Sequence, residues 1–133
     1  MVDLMGGRIT YLATSLASAG QFVRDRKVRA IATTGLKRAR LMPDVPTMHE
    51  SALPGYEVVS WHGMLAPAKV PQAIISRLNK DLVALLATPD VQKLLFAEGG
   101  EISPSTPEEF AKFLASETTK WGKVIKQAGI TAD

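Results

Sequence analysis

The sequence has 133 residues, of which 46% are hydrophobic and only 6% aromatic, a composition that suits one folded domain with an aliphatic core. The net charge of +3 is small and scattered, and its densest basic stretch, Lys37 to Arg40, falls in a predicted loop, which argues against a nucleic-acid-binding surface. Cysteine is absent, which excludes disulfides, thiolate nucleophiles and Cys-ligated metals. No apolar run is long enough to predict a transmembrane helix.

The first third of the chain predicts a strand, a helix and a second strand. Ile9 to Ala13 has the composition of a short strand, and Ser15 to Asp25 places apolar residues at helical spacing. Val28 to Thr34 is rich in β-branched residues and ends at Gly35, which indicates a strand. A strand, helix and strand of this length form a minimal βαβ unit, so we expect a parallel pair with a right-handed crossover.

The middle of the chain predicts a surface loop followed by an extended crossing segment. Leu36 to Gly55 contains three prolines and one short helix, which begins at a capping box formed by Thr47 and Glu50. Tyr56 to Ala66 alternates weakly between apolar and polar residues and is stopped by Pro67. We interpret it as an extended strand that crosses between layers.

The remainder of the chain predicts three helices. The first has Pro71 at its first helical position and a stripe of Ile and Leu residues. The second runs from Thr88-Pro89 to about Glu98, where two glycines can end it and a short strand at 101–102 can follow. The third begins at a capping box at Thr106, carries an apolar packing face that includes Trp121, and ends at Gly129.

No arrangement of residues in the sequence predicts catalysis or cofactor binding. Gly6-Gly7 precedes a strand, whereas glycines that hold a phosphate lie between a strand and a helix. The two histidines, His49 and His62, have no pair of carboxylates at metal-ligand spacing and fit surface or core-edge positions. No serine lies in a nucleophile elbow. We therefore predict that the protein is not an enzyme and has no metal and no cofactor.

Several stretches, in order and over nearly the whole chain, match the motifs of one known family. They are Lys27 to Ala32, Arg38 with Leu41 to Glu50, Leu53 to Glu57, Trp61 to Pro67, Arg77 to Asn79, Thr106 to Phe110, and Glu117 with Lys120-Trp121. Two of the motifs are specific, a proline-rich signature and a Trp-x-Gly segment. Together the stretches resemble the Bug or TctC family of tripartite tricarboxylate transporter receptors.

The resemblance implies an α/β fold, a lobe like those of type II periplasmic binding proteins with a mostly parallel sheet flanked by helices. Members have about twice this length, so the chain resembles their C-terminal half. Residues 1–66 would form the second-lobe segment, and residues 67–133 a helical return segment that completes the first lobe. The implied function is non-catalytic binding of a small di- or tricarboxylate for the membrane subunits of a transporter. The implied location is the periplasm, although Met1 to Arg8 has no signal-peptide features.

The resemblance also implies a site. Thr14 and Ser15 stand where the family places cleft-facing residues, and Trp61 lies in the segment that would cross between the lobes. The family's common aspartates are threonines here, at Thr10 and Thr14, so the family's ligand preference does not carry over directly to this chain. An alternative role for Ser15 is simply to cap the following helix. The alternative function is a truncated structural fragment that oligomerises and binds nothing, and in either case we predict a homo-oligomer.

Overall fold

The computed structural model describes residues 1–131, and the regular secondary structure in this range is helical. The helices are α1 (Val2–Met5), α2 (Leu16–Arg24), α3 (Met48–Ser51), α4 (Gln72–Leu86), α5 (Pro89–Ala97) and α6 (Pro107–Ala128). All helices that the sequence predicts are present, and α1 is one that it did not predict. The chain divides into two compact units: unit 1 contains residues 1–64 and 89–102, and unit 2 contains residues 65–88 and 103–133.

The predicted capping residues define the ends of three helices. The Ser15 hydroxyl accepts a hydrogen bond from the Ser18 amide and begins α2. Both capping boxes form, with Thr47 and Glu50 at α3 and with Thr106 and Glu109 at α6. Gly129 ends α6 in the left-handed conformation, at φ 64°, which a residue without a side chain adopts at little cost. Pro71 is the N-cap of α4 and not its first helical residue, a correction of one position.

Unit 1 is held together by contacts between α2, α5 and the loop that joins residues 35 and 47. Gly20 of α2 is buried, and a Cβ placed on it would lie 3.4 Å from a methyl carbon of Leu41 and 3.9 Å from one of Met42. The guanidinium of Arg40 lies 4.9 Å from the centre of the Phe96 ring of α5. Because Gly20 has no side chain, the loop can pack closely against this face of α2.

The predicted parallel sheet is not formed within residues 1–131. The only β-pairing there is an isolated parallel bridge between Thr33 and Thr47, in which the Thr33 amide donates to the Pro46 carbonyl and the Met48 amide donates to the Thr33 carbonyl. Residues 9–13 make no backbone hydrogen bond to another segment of this range. A strand requires a neighbour with which to pair, and neither residues 9–13 nor 101–102 have one here. The predicted crossing strand 56–66 is likewise irregular.

Unit 2 contains α4 and α6, which pack against each other. The half-buried positions of α4 are Ile75, Asn79, Leu82 and Leu86, a single stripe at helical spacing. Asn79 donates a hydrogen bond from Nδ2 to the Ser105 carbonyl at 2.9 Å, just before α6 begins. On α6 the buried carboxylate of Glu117 accepts a hydrogen bond from the indole nitrogen of Trp121 at 3.0 Å. It also forms an ion pair with Lys120.

A second apolar stripe on these helices stays exposed. It contains Ile74, Leu78 and Leu85 of α4, and Phe113, Val124 and Ile125 of α6. Met42 is the only buried hydrophobic residue within residues 1–131, so much of the apolar surface that a folded protein normally buries is uncovered. None of the helices in residues 1–131 combines the length and the apolar character needed to cross a membrane.

Candidate functional site

The start of α2 carries two of the three residues for which a ligand-binding role is predicted. Thr14 and Ser15 are exposed and lie immediately before the helix. The Ser15 hydroxyl is 3.3 Å from the Ser18 amide and donates to the Ser18 hydroxyl at 3.0 Å. This is the capping role that was the alternative for Ser15. The amides of Leu16 and Ala17 have no acceptor within residues 1–131, so this end of α2 offers two donors to a carboxylate.

Gly99 contacts the same end of α2, a contact that the sequence did not predict. Its φ of 76° is in the left-handed region, and a Cβ there would lie 2.9 Å from the Leu16 Cβ and 3.5 Å from the Ala17 nitrogen. Any side chain at residue 99 would collide with the first turn of α2. The sequence indicates only that the Gly99-Gly100 pair ends a helix. The contact with α2 joins segments that are far apart in sequence, so no local pattern predicts it.

A dense set of hydrogen bonds surrounds α3, in the proline-rich signature. Arg38 donates from Nε to both carboxylate oxygens of Glu50, at 2.9 and 3.3 Å, and from a terminal nitrogen to the Pro43 carbonyl at 3.2 Å. The same Glu50 carboxylate accepts from the Thr47 amide at 2.9 Å. Thr47 is fully buried, and its hydroxyl accepts from the Glu50 amide at 3.0 Å. Glu50 is thus the shared acceptor of a helix cap and an ion pair.

These contacts lower the pKa of Glu50 below its ordinary value of 4.5. The hydrogen bond from the Thr47 amide is the largest cause, and the hydrogen bond from Arg38 comes second. The pKa of Glu109 is lowered in the same way, first by the Thr106 amide, but without an arginine partner. Both capping boxes therefore lower the pKa of their glutamate, and only that of Glu50 is lowered by an arginine as well.

Trp61, the third predicted ligand-binding residue, lies in the irregular segment 56–66 and is 38% exposed. This segment is bound to the end of the 28–34 segment by a hydrogen bond of 2.9 Å from the Val58 amide to the Thr34 carbonyl. A Cβ on Gly35 would lie 3.9 Å from a methyl carbon of Val59, so the Val59 side chain lies close to the backbone at Gly35. Thr14, Ser15 and Trp61 all belong to unit 1. A common ligand contact for these three residues stays a prediction.

Other surfaces offer less to a ligand. A depression of about 650 Å³ lies along α6, and its lining residues, from Ala115 to Gln127, all come from that helix. No second element within the described range closes it. Within residues 1–131, no group of three or more His, Asp or Glu side chains could hold a metal ion. His49 accepts a hydrogen bond at Nδ1 from the Gly55 amide at 2.7 Å, which gives it a structural role.

Solved structures of periplasmic binding proteins have the same fold as this chain. The Rhodopseudomonas palustris protein Rpa4515, solved with adipate, superimposes on 98% of the chain with a TM-score of 0.83 at 30% identity, and the matched part is 44% of that protein. The periplasmic binding protein BugD gives a TM-score of 0.78 at 33% identity over the whole chain, which is 45% of BugD. MatC from R. palustris, with bound malate, gives 0.73 at 29% identity over 93% of the chain and 43% of MatC. The chain therefore superimposes on part of the fold of a periplasmic binding protein.

The chain belongs to the TctC family, the tripartite tricarboxylate transporter family receptors, whose model matches residues 1–130. It is 36% identical to the UPF0065 protein in the tcbD-tcbE intergenic region of Pseudomonas sp. (strain P51), over 98% of its own length. The chain spans 39% of the length of that relative. The family assignment predicted from the proline-rich signature and the Trp-x-Gly segment is confirmed. The description of the family is that of a transport receptor, a class that binds and does not catalyse.

Proposed function

We propose that this chain forms part of a periplasmic receptor that binds a small di- or tricarboxylate, without catalysis, for a tripartite tricarboxylate transporter. The observation that carries the proposal is its similarity, at TM-scores of 0.83 and 0.73, to proteins solved with adipate and with malate. Both of those ligands are dicarboxylates. In this proposal residues 1–66 act as a second-lobe segment and residues 67–133 as the return segment, with the membrane subunits of the transporter as partners.

The start of α2 supplies suitable chemistry for a carboxylate. The unpaired amides of Leu16 and Ala17 lie at the N-terminus of α2, which is the positive end of the helix dipole. Thr14, just before this end, is exposed. Trp61 would provide an apolar surface for the carbon chain of the ligand. Ser15 would act through its cap, which fixes the direction of the first turn.

Calorimetry against adipate, malate and citrate tests the proposal. Because only part of a receptor is present, we expect weak binding, in the range of about 1 mM or roughly 4 kcal/mol. Thr14→Val should weaken binding further, whereas Thr131→Val, the same change at an exposed position in unit 2, should not. Micromolar affinity for a sugar or a nucleotide, with no response to the organic acids, would refute the proposed ligand class.

The exposed apolar stripe supports a second proposal, that the chain associates with itself. A specific interface buries about 800 Å² on each partner. The exposed stripe on α4 and α6 offers six large apolar side chains to such an interface, from Ile74 to Ile125. The chain could bind a ligand as such an oligomer, or form the oligomer and bind nothing. The titration above distinguishes these two outcomes.

A further inference from the structure

We propose that Arg38 and Glu50 are positioning residues for the ligand site, because their ion pair holds the segment that carries Trp61. This inference rests on the proposed carboxylate-binding function. Neither residue is among the predicted site residues, and neither is assigned a contact with the ligand. Their role follows from a continuous series of hydrogen bonds through α3.

The series begins at α3, which has only four residues. A helix of one turn is not stable by itself, because helix nucleation is unfavourable, so its position depends on the groups that bind its ends. The Glu50 carboxylate binds the N-terminal end at the Thr47 amide and also accepts from Arg38. Arg38 in turn holds the Pro43 carbonyl of the preceding loop. One arginine thus connects the loop before α3 with the helix itself.

Two further links connect α3 with the Trp61 segment. On one side, Met48 and Pro46 bracket Thr33 in the parallel bridge, and the neighbouring Thr34 carbonyl accepts from the Val58 amide. On the other side, the His49 side chain accepts from the Gly55 amide at 2.7 Å, immediately before residues 56–61 begin. The segment that carries Trp61 is therefore bound directly to α3 at its start, through His49, and indirectly at Val58, through residues 33 and 34. A shift of α3 should move this segment.

The energetics favour a positioning role over a stabilising one. The side chains of Arg38 and Glu50 are 46% and 41% exposed, and an exposed ion pair of this kind contributes only about 0–1 kcal/mol to stability. The geometry is nevertheless constrained, since three hydrogen bonds fix the orientation of one guanidinium. Removal of the pair should therefore leave the protein folded while it loosens α3.

The test uses the fluorescence of Trp61. The sequence contains two tryptophans, so the replacement Trp121→Phe leaves Trp61 as the only reporter. In that background we compare Arg38→Gln and Glu50→Gln. Glutamine can still complete a capping box, so Glu50→Gln removes the ion pair and keeps the cap. Two controls match it: Glu109→Gln alters the capping box without an arginine, and Arg8→Gln removes an exposed ion pair with Asp3 in unit 1.

We expect both test variants to increase acrylamide quenching of Trp61 and to weaken malate binding by about two- to tenfold, the effect typical of residues that act through others. The double variant should be no worse than either single one, because both remove the same contact. The helical circular dichroism signal and both controls should stay unchanged. Unchanged quenching in the two folded test variants would overturn the proposal. If a test variant fails to fold, Arg38→Lys, which keeps a positive charge beside Glu50 and leaves the Thr47 cap intact, must give the quenching of the parent, or the proposal is wrong.

The two proposals can fail separately. If the parent protein binds no malate, adipate or citrate, the proposed function fails, while the quenching data still report whether the ion pair positions Trp61. If the parent binds malate and the test variants bind it equally well with unchanged quenching, only the positioning role is refuted.

Discussion

Thr33 and Thr47 are paired in a parallel bridge, yet only one of their hydroxyls has a hydrogen-bond partner. Thr47 Oγ1 accepts from the Glu50 amide at 3.0 Å, and Thr47 is fully buried. Thr33 Oγ1 is also buried but has no partner within the described part of the chain. A threonine therefore completes a helix cap at residue 47, whereas the threonine at residue 33 has a buried hydroxyl without a hydrogen-bond partner in that range.

The same substitution should consequently have opposite effects at these two positions. Thr47→Val removes a cap, and we expect it to lower the free energy of unfolding by about 0.5–2 kcal/mol. Thr33→Val replaces an unsatisfied hydroxyl by a methyl group of similar size and should raise that free energy by up to about 1 kcal/mol. Urea denaturation of both variants measures the difference. A loss of stability in Thr33→Val would show that its hydroxyl has a partner in solution.

The lowered pKa values of Glu50 and Glu109 predict how stability depends on acid. Because each carboxylate is more acidic in the folded chain than its ordinary value of 4.5, its contribution is complete above that value and is lost as pH falls through the lowered pKa. The protein should therefore lose stability below about pH 4.5. Thermal melts at a series of pH values should show a weaker acid dependence in Glu50→Gln and in Glu109→Gln.

The two effects should add in the double variant, because the residues lie in different units and accept hydrogen bonds from different residues, Thr47 and Thr106. An acid dependence that is unchanged when both residues are replaced would contradict the assignment.

The contact between Gly99 and α2 predicts a large cost for any side chain at residue 99. Gly99→Ala should be destabilising for two reasons, the positive φ of 76° and the distance of 2.9 Å from the new Cβ to the Leu16 Cβ. Gly129→Ala is the matched control, since Gly129 has a φ of 64° and no atom within 4 Å of a new Cβ. The control should cost about 1–2 kcal/mol for the backbone alone. Equal costs for the two variants in denaturation experiments would show that Gly99 and Leu16 are not in contact.

The hydrogen bond from Trp121 to Glu117 predicts that loss of the indole nitrogen alone lowers the stability of the fold, even when an aromatic ring is kept. Trp121→Phe keeps an aromatic side chain but removes the donor to a buried carboxylate, which should cost about 1.5–3 kcal/mol. Trp61→Phe, at an exposed position in unit 1, should cost much less. Denaturant midpoints give both values. A similar, small cost for the two variants would exclude a structural role for the Glu117 bond.

The exposed stripe on α4 and α6 predicts self-association. Light scattering at micromolar concentration should give a mass above the 14.3 kDa of one chain. Val124→Lys with Ile125→Lys should reduce this mass, because both side chains are more than 40% exposed and a charge there opposes burial. Gln127→Lys is a control for added charge on the same helix. A monodisperse species of 14.3 kDa would show that the stripe does not mediate association.

The helices could be predicted from the sequence because their signals are local. Thr47 with Glu50, Thr106 with Glu109, and Ser15 each bind an amide within three residues, so the sequence alone identifies the pair. Strands cannot be predicted in this way, since a strand exists only with a partner. Residues 9–13 have the composition of a strand and yet have no such partner within residues 1–131.

The candidate site was predictable to the same limited extent. The cap at Ser15 is a local feature and was one of the two roles considered for that residue. The contact between Gly99 and Leu16 and the ion pair between Arg38 and Glu50 depend on tertiary structure. The sequence predicts Gly99 as a helix terminator, Glu50 as a capping-box residue and Arg38 as part of a family motif, but not these contacts. Side chains that meet across the fold leave no periodic trace in the sequence.

The uncovered apolar surface also determines the heat capacity of the protein. Unfolding exposes apolar groups to water and raises the heat capacity, but here Met42, at 8% exposure, is the only buried hydrophobic residue of the described range. The heat-capacity change of unfolding should therefore be small for a chain of this length, and its stability should vary only gently with temperature. Most of the apolar surface is instead buried when chains associate through α4 and α6. The heat-capacity change of that association should be strongly negative, and its enthalpy should become more favourable on warming.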